Sequence, residues 1–263
     1  MKDLIKAQLY QISKTRVYLW VFLFFIGMSV LFGSVEYMNG ESYLEEGQLL
    51  TASSFATRMG LIPTLAFMGM GFFTAFICLD DFSDKTCNHE IMSGRMRKQA
   101  YFARAIISVT ASVIFGLLMV AVTLITSTVL VGWGDSISVS TAVTRILLLV
   151  FPFFRISCFF VLLSYILKKP AVVAVTVYAM MMTLGIISED AADPASVLTA
   201  FSNIAMLNQY DAWYTFGIES GANAIYEPSL GAAKIILTII VSLAAGGAYL
   251  ALGYSYFHGD DLE

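Results

Sequence analysis

Six apolar stretches set the terms for this chain: Val17–Val35, Gly60–Leu79, Ala105–Val131, Ile146–Leu167, Ala171–Ser188 and Ile235–Tyr254. The hydrocarbon core of a bilayer is about 30 Å thick, so a spanning helix needs roughly 20 apolar residues, and each stretch is close to or above that length. Inside lipid no water satisfies the backbone, which leaves helices and closed barrels as the spanning forms. The period-2 alternation of a barrel strand is absent. Composition agrees, with 58% of residues hydrophobic and 13% charged, against roughly 25% charged in a soluble domain. The sequence therefore predicts an all-α integral membrane protein. It has six transmembrane helices in one domain covering residues 1–263.

The charges orient it. With the N-terminus inside, the inner segments hold Lys2, Lys6, Lys14, Arg16, the five cations of 85–104 and the Lys168-Lys169 pair. The outer segments hold only Arg58, Arg145 and Lys234. Lys and Arg concentrate on the cytoplasmic side of membrane proteins, so both termini are expected in the cytoplasm. Cys78, Cys87 and Cys158 all fall in spans or on that inner side, where no structural disulfide is expected. The first stretch exceeds the ~7–15-residue apolar core of a signal peptide, and Phe32–Val35 offers no small-residue cleavage site. It is expected to remain as a span.

Features between and within the spans refine this outline. Leu4, Ile5, Leu9 and Ile12 gather on one face of a helix, with Lys2, Lys6, Gln8 and Gln11 mostly elsewhere. That pattern suits a helix lying in the membrane interface before the first span. The last outer segment, 189–234, contains the apolar run Val197–Met206 and the aromatic-rich Trp213–Ile218. Both are too short to span and read as re-entrant or interfacial. Arg155 falls near the middle of the fourth span, three residues after Pro152. A mid-membrane Arg costs about 2.5–3.5 kcal/mol on insertion scales, so it either lines a cavity or is paired internally. Phe72, Phe73 and the Met180-Met181-Met182 run join Arg155 as candidate cavity residues, although such residues are more commonly core.

The longest polar segment between two spans on the charge-rich side is Asp80–Arg104. Its centre, Cys87–Tyr101, has no Pro and one Gly, and is expected to form a short helix across the membrane surface. Catalytic signatures here are incomplete. His89-Glu90-Ile91-Met92-Ser93 opens like H-E-x-x-H but ends in Ser93, so the second metal imidazole is missing. Asp80-Asp81-Phe82-Ser83-Asp84 matches D-D-x-x-D, a cluster that can hold Mg²⁺ against a diphosphate. It supports an alternative reading as a Mg²⁺-dependent intramembrane prenyltransferase-like enzyme, although the other inner loop, Lys168-Lys169-Pro170, supplies no second acidic cluster. No phosphate-cradling G-x-x-x-x-G-K-[ST] or dinucleotide G-x-G-x-x-G is present. Any ATP that drives the protein is bound by another chain. Nothing beyond these scattered cations suggests nucleic-acid binding.

Six spans, inner termini, an interfacial N-terminal helix and the long last outer segment together resemble the permease subunit of type-2 ATP-binding-cassette exporters. The subunits resembled most are those of bacitracin resistance and lantibiotic immunity. The local match is Asp81-Phe82, Thr86, Ile91-Met92, Ser93-Gly94-Arg95, Tyr101 and Arg104. Two departures stand out: Lys85 replaces the usual Gly before Thr86, and the apolar run is shortened to Ile91-Met92. The resemblance implies a non-catalytic subunit of a bacterial cell membrane exporter for peptide, lipid or drug-like cargo. It implies a homodimer or heterodimer with a second permease chain. The chain itself would bind no cofactor or metal, since ATP and Mg²⁺ sit on a partner ATPase subunit. Asn88–Arg97 would be the coupling helix, with Thr86, Asn88, Glu90, Ile91, Met92, Arg95 and Arg97 contacting that partner.

Overall fold

The computed structural model describes residues 2–43, 52, 61–83, 96–134, 138–177, 179 and 232–259, and every regular element among them is helical. In chain order these are α1 (Lys2–Lys14), α2 (Arg16–Tyr43), α3 (Leu61–Ser83), α4 (Arg97–Val131), α5 (Val139–Leu148) and α6 (Val150–Leu167). They are followed by α7, over 170–177, and α8 (Ala232–Gly259). Among the described residues, three helices are long and apolar enough to cross a membrane: Arg97–Val131, the joined Val139–Leu167 and Thr238–Gly259. A fourth is added if Leu4–Lys14 and Arg16–Leu31, bent by 66°, act as one span. Helix α3 carries the expected second span from Leu61 to Leu79 and continues to Ser83. Of the expected fifth span, 171–188, the structure describes 171–177 and 179, and the expected re-entrant segments lie outside the described residues.

Several boundaries differ from expectation. Hydropathy places the start of the third span at Ala105, but α4 begins at Arg97, after Met96 in extended conformation (φ −69°, ψ 133°). Charge ends an apolar run without ending the backbone ladder, so the helix continues through Arg104. At about 1.5 Å per residue, its 35 residues run roughly 52 Å, well beyond a hydrocarbon core. Gly132 then breaks the helix at φ +82° while its N–H still donates to the Thr128 carbonyl. A side chain at that φ would be strained.

The outer turn expected over 132–141 is also shorter. Helix α5 starts at Val139, and Ser138 Oγ accepts the Thr141 N–H at 3.2 Å, satisfying one of the unpaired donors of its first turn. The break between α5 and α6 has a covalent cause. Pro152 has no N–H to offer the Leu148 carbonyl, so the ladder is interrupted there and restarts as Phe153 N–H donates to Leu149. Pro152 therefore lies in the first turn of α6, where a missing donor is tolerated. At the other end Lys168 adopts the left-handed region (φ 55°) and closes α6 with a bond to Ser164. Pro170 then opens α7.

Helix α4 is central, packing against α1, α2, α3, α6 and α8. Against α3 and α2 the core is aromatic: Phe73 stacks on Phe115 at 5.0 Å and 3°, and Phe25 meets Phe115 edge-on. Glycines set the approach. A Cβ on Gly69 would lie 2.6 Å from Phe115 Cε1, and one on Gly116 would lie 2.5 Å from Met70 Sδ. Without side chains there, α3 and α4 close together, the usual solution where lipid offers no hydrophobic drive. Helices α6 and α8 run side by side in the same direction, with Phe154 over Gly246, Phe159 against Tyr249 and Tyr165 against Phe257.

Candidate functional site

The segment singled out by sequence joins α3 to α4. Asp80 and Asp81 lie in the last turns of α3, which runs past Leu79 to Ser83. Asp84, Thr86, Asn88, Glu90, Ile91, Met92 and Arg95 lie outside the described residues. Arg97 is described, and it is the first residue of α4 instead of the end of a separate surface helix.

Its position ties α4 to α8. Arg97 Nη1 donates to the His258 carbonyl in the last turn of α8 at 3.2 Å. Cationic donors suit that site, because the final carbonyls of a helix lack partners and carry its negative dipole end. One turn further along α4, the Tyr101 hydroxyl donates to the Leu250 carbonyl at 2.8 Å. The Tyr101 ring packs on Tyr165 of α6 at 4.9 Å, and on Tyr254 and Phe257 of α8 at 5.6 and 5.8 Å. Room for the hydroxyl comes from Gly253, where a Cβ would stand 2.6 Å from it. Phe102, Tyr254 and His258 form a second stack beside this one. Arg104, next on the same helix, is buried to 1% exposure. The Arg97 end of the bundle is thus one cross-bonded unit built from α4, α6 and α8.

A polar seam holds the middle of the bundle. Ser157 of α6 donates to Ser112 Oγ of α4 at 3.1 Å, and Ser112 donates to the Met70 carbonyl of α3 at 3.3 Å. Ser108 donates to the Thr74 carbonyl at 3.4 Å. Small hydroxyls between helices can contribute up to about 1.7 kcal/mol each in membranes, and more commonly about 0.6.

The candidate cavity residues fall in different places. Phe73 is buried in the aromatic core with Phe115 and Tyr18, and Phe72 is half-buried against Phe25. Arg155 is buried in α6 at 1% exposure. Met180–Met182 lie outside the described residues. A cavity of about 300 Å³ opens elsewhere, between α4, α6 and α8, with Phe102, Val109 and Phe154 among its walls. None of the candidates named from the sequence lines it.

The sequence did not single out the box around Tyr101, nor the Ser112–Ser157 bond. Tyr165, Tyr254 and Phe257 do stand as aromatics near the ends of apolar runs, where interfacial rings concentrate. Nothing in their spacing pairs them across helices. Comparison with protein-family models and with curated proteins finds no match to this chain.

Proposed function

We propose that this chain is the membrane-spanning permease subunit of an ATP-driven exporter. In this reading six spans cross a bacterial cell membrane with both termini in the cytoplasm. A second permease chain completes the path, and a separate ATPase subunit binds ATP and Mg²⁺ and docks on the segment between α3 and α4. The observation that carries it is the continuity of α4 from Arg97, where the docking segment ends, into the centre of the bundle. A push on that segment is delivered to the end of a long helix already bonded to α6 and α8 through Arg97 and Tyr101. The three helices then move as a rigid body, a common way for a local contact to become a domain motion. ATP binding acts only through contacts that differ between the two states.

The supporting sequence features are the charge asymmetry, the absence of any nucleotide-binding fingerprint, and the motif around Thr86 and Ser93-Gly94-Arg95. The test substitutes Glu90, Ile91 and Arg95 with Ala, singly, and measures co-purification of the ATPase and export of cargo. Loss of both in at least one variant, with normal membrane insertion, is expected. Full assembly and transport in all three overturns the proposal.

A further inference from the structure

The cavity of about 300 Å³ between α4, α6 and α8 is a groove on the outer surface of the bundle. Helix α4 contributes Phe102, Ile106, Thr110 and Ile114, α6 contributes Phe154, and α8 contributes Leu250. The α4 residues repeat every four positions, so they form one row along the helix. From Phe102 to Ile114 the row rises through twelve steps, roughly 18 Å at the rise of an α-helix. That is close to the hydrocarbon depth of one leaflet, half of about 30 Å. Ile106 and Ile114 are exposed, so the groove opens sideways. Its volume is at the bottom of the ~300–1,000 Å³ range of small-molecule sites, and its length along α4 suits an extended chain.

The same row continues one turn beyond Phe102 to Lys98, which is exposed. Arg97 beside it is engaged with His258, and Lys98 lies one helical turn beyond Phe102 at the basic end of the groove. Lys168 and Lys169, also exposed, close α6 at the same end of the bundle. We infer that this groove is a binding site for an anionic phospholipid, one acyl chain lying along Phe102–Ile114 and the headgroup phosphate at Lys98. Charge decides the occupant. A zwitterionic lipid gains the apolar contact alone, whereas an anionic one adds attraction to the basic end. A bound lipid would brace α4 against α6 and α8 on the side away from α3.

The experiment reconstitutes the full chain in vesicles of equal phosphatidylglycerol and phosphatidylcholine, extracts it in mild detergent, and counts retained lipids by native mass spectrometry. Phosphatidylglycerol is expected to stay bound in preference. Lys98→Gln should lower its retention about fivefold, the effect of one surface cation. Thr110→Trp, which fills the groove, should displace lipid of both kinds, and Ile125→Trp, exposed on α4 beyond the groove, should not. Thr110→Phe serves the same purpose if the Trp variant does not fold. Equal retention of the two lipids overturns the inference, as does undiminished retention in the groove-filling variant. Efficient disulfide formation between two copies of Ile114→Cys, with no lipid retained, also overturns it by showing that a second copy covers the groove. None of these measurements involves transport, so their failure leaves the permease proposal intact.

Discussion

Tyr101 is where single atoms can be interrogated. Its hydroxyl reaches the Leu250 carbonyl only because residue 253 has no side chain. Tyr101→Phe should cost about 1 kcal/mol, the net worth of one hydrogen bond. Gly253→Ala should cost more, about 1–3 kcal/mol, because the new Cβ forces the ring or α8 to shift. The two changes touch the same atoms, so their combination should be less damaging than the sum, since Phe removes the oxygen that collides. Thermal unfolding of the four proteins in one detergent reads this cycle. Independent behaviour of the two sites would mean they do not meet. A parallel contrast exists among the glycines. Gly69→Ala should destabilise, because Phe115 is held in its stack on Phe73 and cannot retreat. Gly27→Ala, with nothing within 4 Å of the new Cβ, should be neutral or stabilising by up to about 1 kcal/mol from helix propensity.

Among elements, the joint between α4 and α8 makes a separate prediction. Arg97→Ala leaves the last turn of α8 without its cationic partner. Hydrogen exchange at Tyr256–Gly259 should accelerate while exchange in the middle of α8 stays unchanged. Uniform exchange along the helix would show that Arg97 is not what holds that turn. The seam in mid-bundle calls for a coupling measurement: Ser112→Ala and Ser157→Ala should be non-additive by roughly 0.6 kcal/mol. At this scale sequence and structure part company in an instructive way. Helices could be located because lipid and protein interior are both apolar, so any buried span produces a long hydrophobic run. Their faces could not, for the same reason. Along α2, the exposed Trp20, Leu23 and Phe24 are as apolar as the buried Tyr18 and Phe25, and the buried set includes Ser29. In α1 the expected face is partly inverted. Leu9 is 53% exposed and Gln8 is buried at 8%, because Leu4, Ile5, Gln8 and Ile12 are the positions turned toward the bundle. Where apolar contact is available on every side, a polar group gains most from the interior. Hydropathy therefore reports how long a span is and stays silent on which way it faces.

The described helices of the molecule form a bundle gathered around one long helix, α4, and its mechanical character follows from that. Spans that move separately would need weak seams, yet the Arg97 end of α4, α6 and α8 is cross-linked by rings and hydrogen bonds. The proposed switching motion must then occur between this unit and its neighbours, or between two chains. Double electron–electron resonance makes this measurable. Labels on Ile125 of α4 and Leu243 of α8, both exposed, should keep one distance with and without ATP bound to the partner, while distances between the two chains change. A shift within the chain would contradict the rigid unit. The candidate docking residues were legible as a cluster because charge interrupts an apolar sequence. The joint at the Arg97 end of α4 was not, because it comes from aromatics more than sixty residues apart in the chain.

The thioethers buried against glycine backbone provide an internal gauge. Met70 and Met119 sit sealed over Gly116 and Gly69, whereas Met96, just ahead of α4, is largely open. Peroxide needs access to sulfur to form a sulfoxide, so Met96 should oxidise at once and the other two only when α3 and α4 come apart. The delay between them, followed by peptide mass spectrometry, would clock how often the bundle breathes.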